Sequence, residues 1–235
     1  MRCPFRSCGW NPTRALNTIK KACRASDRYP GRCAAVEPSV KGSLFVTGVA
    51  AARRYRDAGL LSEDQIAARL GPAALEALDQ KIDSSRWYPI EAFCEMVDLD
   101  WETAAERDPA YMLRLGAVAA RRFFERGIYQ QLDYAKRAGR VENRGALLRQ
   151  AKLITTVTNS LYSFLEIDVR VVNNVLEIVY GNAAPLSEAL RYTTIGFMNE
   201  VNRWQGSSRR WTSERVTPDL VLFRLDLPER LNGDD

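Results

Sequence analysis

In the last third of the chain, apolar residues alternate in two short segments, recur at helical spacing in the longer segment that follows, and are succeeded by two more predicted strands. The alternating segments are 164–172 and 175–180, and the two closing strands are predicted over 209–216 and 220–227. The helical segment, 185–204, separates the first pair from the second. Asn173-Asn174 suits the positive φ angles of a tight hairpin turn. This order predicts a four-stranded antiparallel sheet with a crossing helix between its two hairpins.

Helical spacing dominates the chain before this sheet. The predicted helices are 44–57, 63–70, 73–81, 90–99, 101–106, 110–126, 128–136 and 146–162. Ser62 and Gln65 form a capping box, and Asp100 is placed to cap the helix that follows it. The segment 84–89 carries two aromatic residues beside a proline and is predicted as a loop. The predicted fold class is therefore α+β, with N-terminal helices followed by the four-stranded antiparallel sheet.

Positive charge is concentrated at the start of the chain. Residues 1–41 contain nine Lys or Arg and two acidic residues, whereas the remaining 194 residues contain 25 basic and 27 acidic ones. We predict a basic, cysteine-containing and poorly ordered arm over 1–39, a single α+β domain over 40–228 and a tail over 229–235. Because a basic arm attracts phosphate backbones, a nucleic-acid-associated factor is one alternative function.

The chain contains no histidine. This excludes Ser-His-Asp and Cys-His nucleophilic arrangements and removes the commonest metal ligand. Phosphate-binding glycine loops and other catalytic motifs are also absent from the sequence. The arm cysteines do not follow the usual pairing of zinc sites, so zinc binding there stays an open alternative; they are Cys3, Cys8, Cys23 and Cys33. We expect no enzyme activity, no catalytic or metal-binding residue in the domain and no cofactor.

Small residues occupy the centre of one face of the predicted helix 110–126, between Leu113 and Phe124. Such a face either packs tightly against its neighbour or leaves space for an apolar ligand. In the ligand interpretation, a pocket lies between helices 90–99 and 110–126 and the inner face of the sheet. Its predicted lining is Tyr88, Phe93, Cys94, Ala117, Ala120 and Phe124.

Two stretches are similar to 4-vinyl-reductase domains and to their relatives, the haem-NO-binding and transport-particle (Bet3-like) proteins. They are Leu-Arg-Leu-Gly-Ala-Val-Ala-Ala-Arg at 113–121 and Thr-Ile-Gly-Phe-Met-Asn-Glu at 194–200, followed by Trp204. Residues 40–44 and 85–89 resemble the signature of a family of uncharacterised proteins restricted to Myxococcales. The resemblance covers residues 40–228.

The resemblance implies a sensory or regulatory domain, or a dimerising scaffold, without enzyme activity. The haem-binding relatives use a histidine, so the resemblance does not extend to His-ligated haem. Some vinyl-reductase-type domains carry cysteines near the C-terminal strands, but residues 213–220 contain none. A metal site in the body is therefore not expected.

These observations lead us to expect a cytoplasmic, non-enzymatic sensory or regulatory domain that binds an apolar small molecule. The expected partners are that molecule and either a second copy of the chain or a regulatory protein. The first alternative is a protein-interaction scaffold with a filled core. In the nucleic-acid alternative, Arg209-Arg210 beside Trp211 grips a phosphate or stacks on a base. No stretch is apolar for long enough to span a membrane, and no membrane association is expected.

Overall fold

The computed structural model describes residues 37–125 and 144–228. The helices are α1 (Gly42–Asp57), α2 (Glu63–Ala67), α3 (Pro72–Ala77), α4 (Ile90–Ala105), α5 (Pro109–Glu125), α6 (Arg144–Leu161) and α7 (Glu188–Trp204). The strands are β1 (Ser39–Lys41), β2 (Trp87–Pro89), β3 (Glu166–Val172), β4 (Val175–Gly181), β5 (Thr212–Thr217) and β6 (Leu220–Asp226). The predicted helix 128–136, the tail 229–235 and most of the predicted arm lie outside these residues.

The sheet confirms the predicted fold class. Its strands are all antiparallel and stand in the order β3-β4-β6-β5, with α7 joining the two hairpins along the chain. Asn173 and Asn174 form the first turn with φ of 49° and 64°, as a two-residue hairpin requires. The predicted inward residues Leu176 and Ile178 of β4 are fully buried. The sheet thus packs its inner face on the helical part of the domain.

The prediction that 84–89 is a loop is wrong for its last three residues, which form β2. This strand pairs with β1, and Val40 lies opposite Tyr88. Pairing with a segment so distant in the chain supplies the backbone hydrogen bonds that a local reading of the sequence cannot show.

Helix α4 runs through Asp100 instead of stopping there. The Asp100 carboxylate is buried and accepts hydrogen bonds from the hydroxyls of Tyr55 (2.6 Å) and Tyr111 (3.1 Å). These side chains take the place of the backbone N–H groups that a capping aspartate would bind. The helix ends instead at Ala105 and is followed by Glu106, which has φ of 47°. The capping box of Ser62 and Gln65 forms as predicted at the start of α2.

Helices α5 and α7 run in the same direction and pack along their lengths. Met112 and Ala189 belong to one buried cluster near the start of both helices. Near their ends, the rings of Phe124 and Trp204 stack with centroids 4.1 Å apart. No helix in the described ranges is long and apolar enough to cross a membrane.

The backbones of these two helices touch at a pair of glycines. A Cβ on Gly116 would lie 2.0 Å from the carbonyl oxygen of Thr193, and a Cβ on Gly196 would lie 2.1 Å from that of Leu113. Both distances are far below van der Waals contact, so only glycine fits at either position. At Gly116, the small-residue face of α5 therefore serves tight packing.

Candidate functional site

The first three predicted lining residues lie together near the beginning of α4. The Tyr88 ring stacks on that of Phe45 at 4.5 Å, and the buried Phe93 ring lies 6.3 Å from the same phenylalanine. Cys94 is buried beside them, and its thiol donates to the carbonyl of Pro185 at 3.3 Å. These contacts form an aromatic and apolar wall close to the start of α7.

The other three predicted residues lie on α5, against the second half of α7. Ala120 is fully buried and Ala117 is half-buried, while Phe124 stacks on Trp204 at the end of α7. Cys94 contacts the chain just before α7, whereas Phe124 stacks on the last residue of α7, so these two side chains lie near opposite ends of a helix of 17 residues, about 25 Å long. Ala120 belongs to the same buried hydrophobic cluster as Phe93 and Cys94.

Two tyrosines adjoin the thiol of Cys94 in the first group. Tyr162 interacts electrostatically with Tyr180 and Cys94, and the Tyr180 hydroxyl shares a hydrogen bond of 3.3 Å with the Thr158 hydroxyl. Burial raises the pKa of Tyr162, that of Tyr180 to about 12 and that of the Cys94 thiol to about 11. All three groups are protonated at neutral pH, although two carboxylates, those of Asp98 and Glu95, act electrostatically on the Cys94 thiol.

Because alkylating reagents attack thiolates, Cys94 is expected to resist iodoacetamide in the native protein. The measurement is peptide mass spectrometry of Cys94 after labelling at about pH 8, where a free thiol with its ordinary pKa near 8.5 reacts. The same labelling in guanidinium chloride serves as the reference for full reaction. Equal rates in the two conditions would show that the interior opens readily to solvent.

A polar groove lies on the surface where α5, α7 and the segment after α7 meet. Its volume is about 340 Å³. Ala117 is the predicted lining residue that reaches it, and Leu113 and Gly196 complete its apolar floor. Its charged lining residues are Arg114, Glu200, Arg203, Arg209 and Arg210.

Sequence reasoning identified only the Arg209-Arg210 pair of this groove, because its arginines come from separate segments. The residue that follows this pair is Trp211. Trp211 is buried, and its indole N–H donates to Asn202 at 3.3 Å. Stacking of Trp211 on a nucleic-acid base is therefore excluded.

Glu200 is a buried carboxylate at the edge of the groove. It accepts hydrogen bonds from Arg203 (2.5 and 2.8 Å) and from Arg121 (2.9 Å). The bonds from Arg203 and then Arg121 lower the pKa of this carboxyl below its ordinary value. Glu200 is thus ionised at neutral pH and fully engaged by the two arginines.

A shallower hollow of about 540 Å³ lies beside the turn between β5 and β6. Its guanidinium, Arg215, donates to the carboxylate of Glu188 (2.7 Å) and to the carbonyl of Leu186 (2.6 Å). The principal charged group of this hollow is thus engaged within the protein. Across the two described ranges, no cluster of three acidic or cysteine side chains is placed to hold a metal ion.

No protein-family model matches the sequence, and no curated protein matches it significantly. Solved structures do match. A mutant of the Fe(II) unliganded H-NOX protein from K. algicida has 16% identity over 81% of this chain and 98% of its own, with a TM-score of 0.54. The Fe(II) unliganded H-NOX protein from K. algicida has 15% identity over 83% and 100%, with a TM-score of 0.49.

An oxygen-binding H-NOX domain related to soluble guanylate cyclases has 12% identity over 80% of this chain and 95% of its own, with a TM-score of 0.45. At such identities only the fold is comparable, and the first of the three structures supports it. The expected relation to the haem-NO-binding fold group is confirmed at that level: this chain has the α+β fold of H-NOX proteins.

Proposed function

We propose that this chain is a non-enzymatic sensory or regulatory domain that binds an apolar small molecule. The observation that carries the proposal is the interior beside Phe93 and Cys94, where buried aromatic side chains meet a few protonated hydroxyl and thiol groups. Such a combination is typical of small-molecule sites. The fold supports the proposal, because a solved protein with this fold is named as an Fe(II) H-NOX protein and therefore binds iron.

Haem does not fit the donors that the described residues place beside the first group. Without histidine, the remaining haem ligands are thiolate, phenolate and thioether. Burial raises the pKa of both Cys94 and Tyr180 and so keeps them protonated. The Cys94 thiol also donates a hydrogen bond to the carbonyl of Pro185. Met96 and Met198 are fully buried among core side chains. The proposed ligand is therefore an apolar organic molecule.

We place this ligand at the first group of predicted residues, Tyr88, Phe93 and Cys94. Their rings and thiol provide the apolar wall, and the hydroxyls of Tyr162 and Tyr180 are the nearby polar groups that can orient a ligand. Ala117, Ala120 and Phe124 belong instead to the contact between α5 and α7 in this proposal. The regulatory output, through a second copy or a partner protein, is part of the same proposal.

Native mass spectrometry of the full chain tests the ligand. The purified protein is expected to carry an added mass that extraction with organic solvent removes. Cys94→Met adds two carbon atoms to a buried side chain in the proposed site and is expected to weaken ligand binding about tenfold or more, since overpacking a filled site costs about 1–3 kcal/mol.

Val46→Met is the matched control, because Val46 is exposed on α1. Circular dichroism and thermal melting verify that both variants fold. A wild-type protein without added mass, or a Cys94→Met protein that retains the ligand fully, contradicts the proposed site.

A second candidate function is an interaction scaffold with a filled core, acting as a homodimer. The backbone contact at Gly116 and Gly196 favours it, because it leaves no space between α5 and α7. Under this function the native mass equals that of the chain alone or of its dimer. Size-exclusion chromatography with light scattering then identifies the dimer.

A further inference from the structure

The groove between α5 and α7 has a strong excess of positive charge. Four arginines and one glutamate line it, which leaves three positive charges unbalanced. Glu200 is already engaged by Arg121 and Arg203. This excess is local, since residues 42–235 contain slightly more acidic than basic side chains. An attraction for anions is therefore built into this one surface.

The remaining three arginines are free to bind an external anion. Throughout the described ranges, no carboxylate forms an ion pair with Arg114, Arg209 or Arg210. Arg209 donates from Nη1 to the Asp226 carbonyl at 3.1 Å, while its buried Nε–H has no acceptor among the described residues. A buried donor without an acceptor is costly.

The segment that carries two of these arginines is held in place by hydrogen bonds. The Asn202 amide donates to the Arg209 carbonyl at 3.1 Å, and the Trp211 backbone N–H donates to the Asn199 side chain at 2.7 Å. The Arg209 backbone N–H donates to the hydroxyl of the buried Ser207 at 3.2 Å. Because the backbone is fixed before binding, less conformational entropy is lost when a ligand arrives.

From this geometry we propose that the groove binds a small molecule that carries a doubly charged oxyanion, such as a phosphoryl group. Guanidinium groups match phosphate oxygens in pairs of parallel hydrogen bonds. A dianion balances most of the three unpaired charges. The volume of about 340 Å³ admits a phosphate with a short organic part, which the floor of Leu113, Ala117 and Gly196 can contact.

Calorimetric titration of the full chain tests this site with three probes, which are inorganic phosphate, AMP and adenosine. At about pH 8 AMP is dianionic, since the second pKa of a phosphate monoester is about 6, and inorganic phosphate is mainly dianionic. Phosphate and AMP are expected to bind, more weakly as salt rises, and adenosine is not. Equal affinity for phosphate and AMP assigns the site to the free ion, whereas tighter AMP binding assigns it to a phosphate ester.

Arg114→Gln combined with Arg210→Gln removes two exposed groove arginines and is expected to weaken binding about tenfold or more. The matched control combines Arg86→Gln with Arg122→Gln, which removes the same charge at two exposed residues outside the groove. The proposal is overturned if neither anion binds, if adenosine binds as tightly as AMP, or if the control loses as much affinity as the groove variant.

This anion site does not depend on the apolar ligand proposed above. Loss of the copurified molecule in Cys94→Met leaves the phosphate titration unchanged, and loss of phosphate binding in the arginine variant leaves the native mass unchanged. The two proposals therefore fail separately.

Discussion

Replacing Gly116 with alanine is expected to destabilise the protein by about 2 kcal/mol or more, although alanine is the better helix former. The added Cβ would lie 2.0 Å from the Thr193 carbonyl oxygen and 2.7 Å from the Phe197 nitrogen. Both are backbone atoms of α7, so the whole helix has to move. Overpacking costs about 1–3 kcal/mol even where side chains can yield, which outweighs the gain of about 1 kcal/mol in helix propensity.

Denaturant unfolding followed by circular dichroism measures this loss as a lower midpoint. Gly181→Ala is the control, because a Cβ there meets its nearest atoms at 3.6 Å, an ordinary contact. The control is expected to change stability by no more than about 0.5 kcal/mol. A Gly116→Ala protein as stable as wild type would mean that α5 and α7 separate easily, which contradicts the tight contact.

Asn202→Leu is expected to cost about 3 kcal/mol or more, because it leaves several buried polar groups without partners. The Asn202 side chain is fully buried and accepts from the Gln150 amide (2.5 Å) and the Trp211 indole (3.3 Å). It also donates to the Arg209 carbonyl. The Gln150 Oε1 atom already has no partner among the described residues, so the substitution leaves that amide wholly unsatisfied. Because leucine is similar in size to asparagine, the expected loss of stability comes from the missing hydrogen bonds and not from a cavity.

The same unfolding experiment on Asn159→Leu gives the comparison, since Asn159 is exposed on α6. That variant is expected to stay within about 0.5 kcal/mol of wild type. If Asn202→Leu matches it, the buried amide network contributes nothing measurable. If Asn202→Leu is destabilised as expected, phosphate binding should also weaken, because the segment that positions Arg209 and Arg210 loses its anchor.

The elements that the sequence predicts well depend on close neighbours in the chain. Asn173 and Asn174 define a two-residue turn whose strands alternate on either side, and Ser62 and Gln65 cap a helix within one turn. The small-residue face of α5 also carries a real signal, since Gly116 is where the helices touch. Fold class and most element positions follow from such local chemistry.

The remaining features depend on residues that are distant in the chain. Asp100 is a residue type that commonly caps helices, but its carboxylate accepts hydrogen bonds from the hydroxyls of Tyr55 and Tyr111 instead. The groove was not predicted, because Arg114 on α5 and Arg210 after α7 come together only when these two helices pack against each other. The relative position of Cys94 and Phe124 likewise depends on where α7 begins and ends.

The glycine contact also has a consequence for the order of folding. The β3–β4 hairpin pairs residues on both sides of a two-residue turn and can form early. The contact between Leu113 and Gly196 joins positions about 80 residues apart, and β4 pairs with β6 only after the chain has passed through α7. Closing so long a loop is entropically costly. Docking of α7 on α5 is therefore the step that we expect to set the rate at which the sheet is completed.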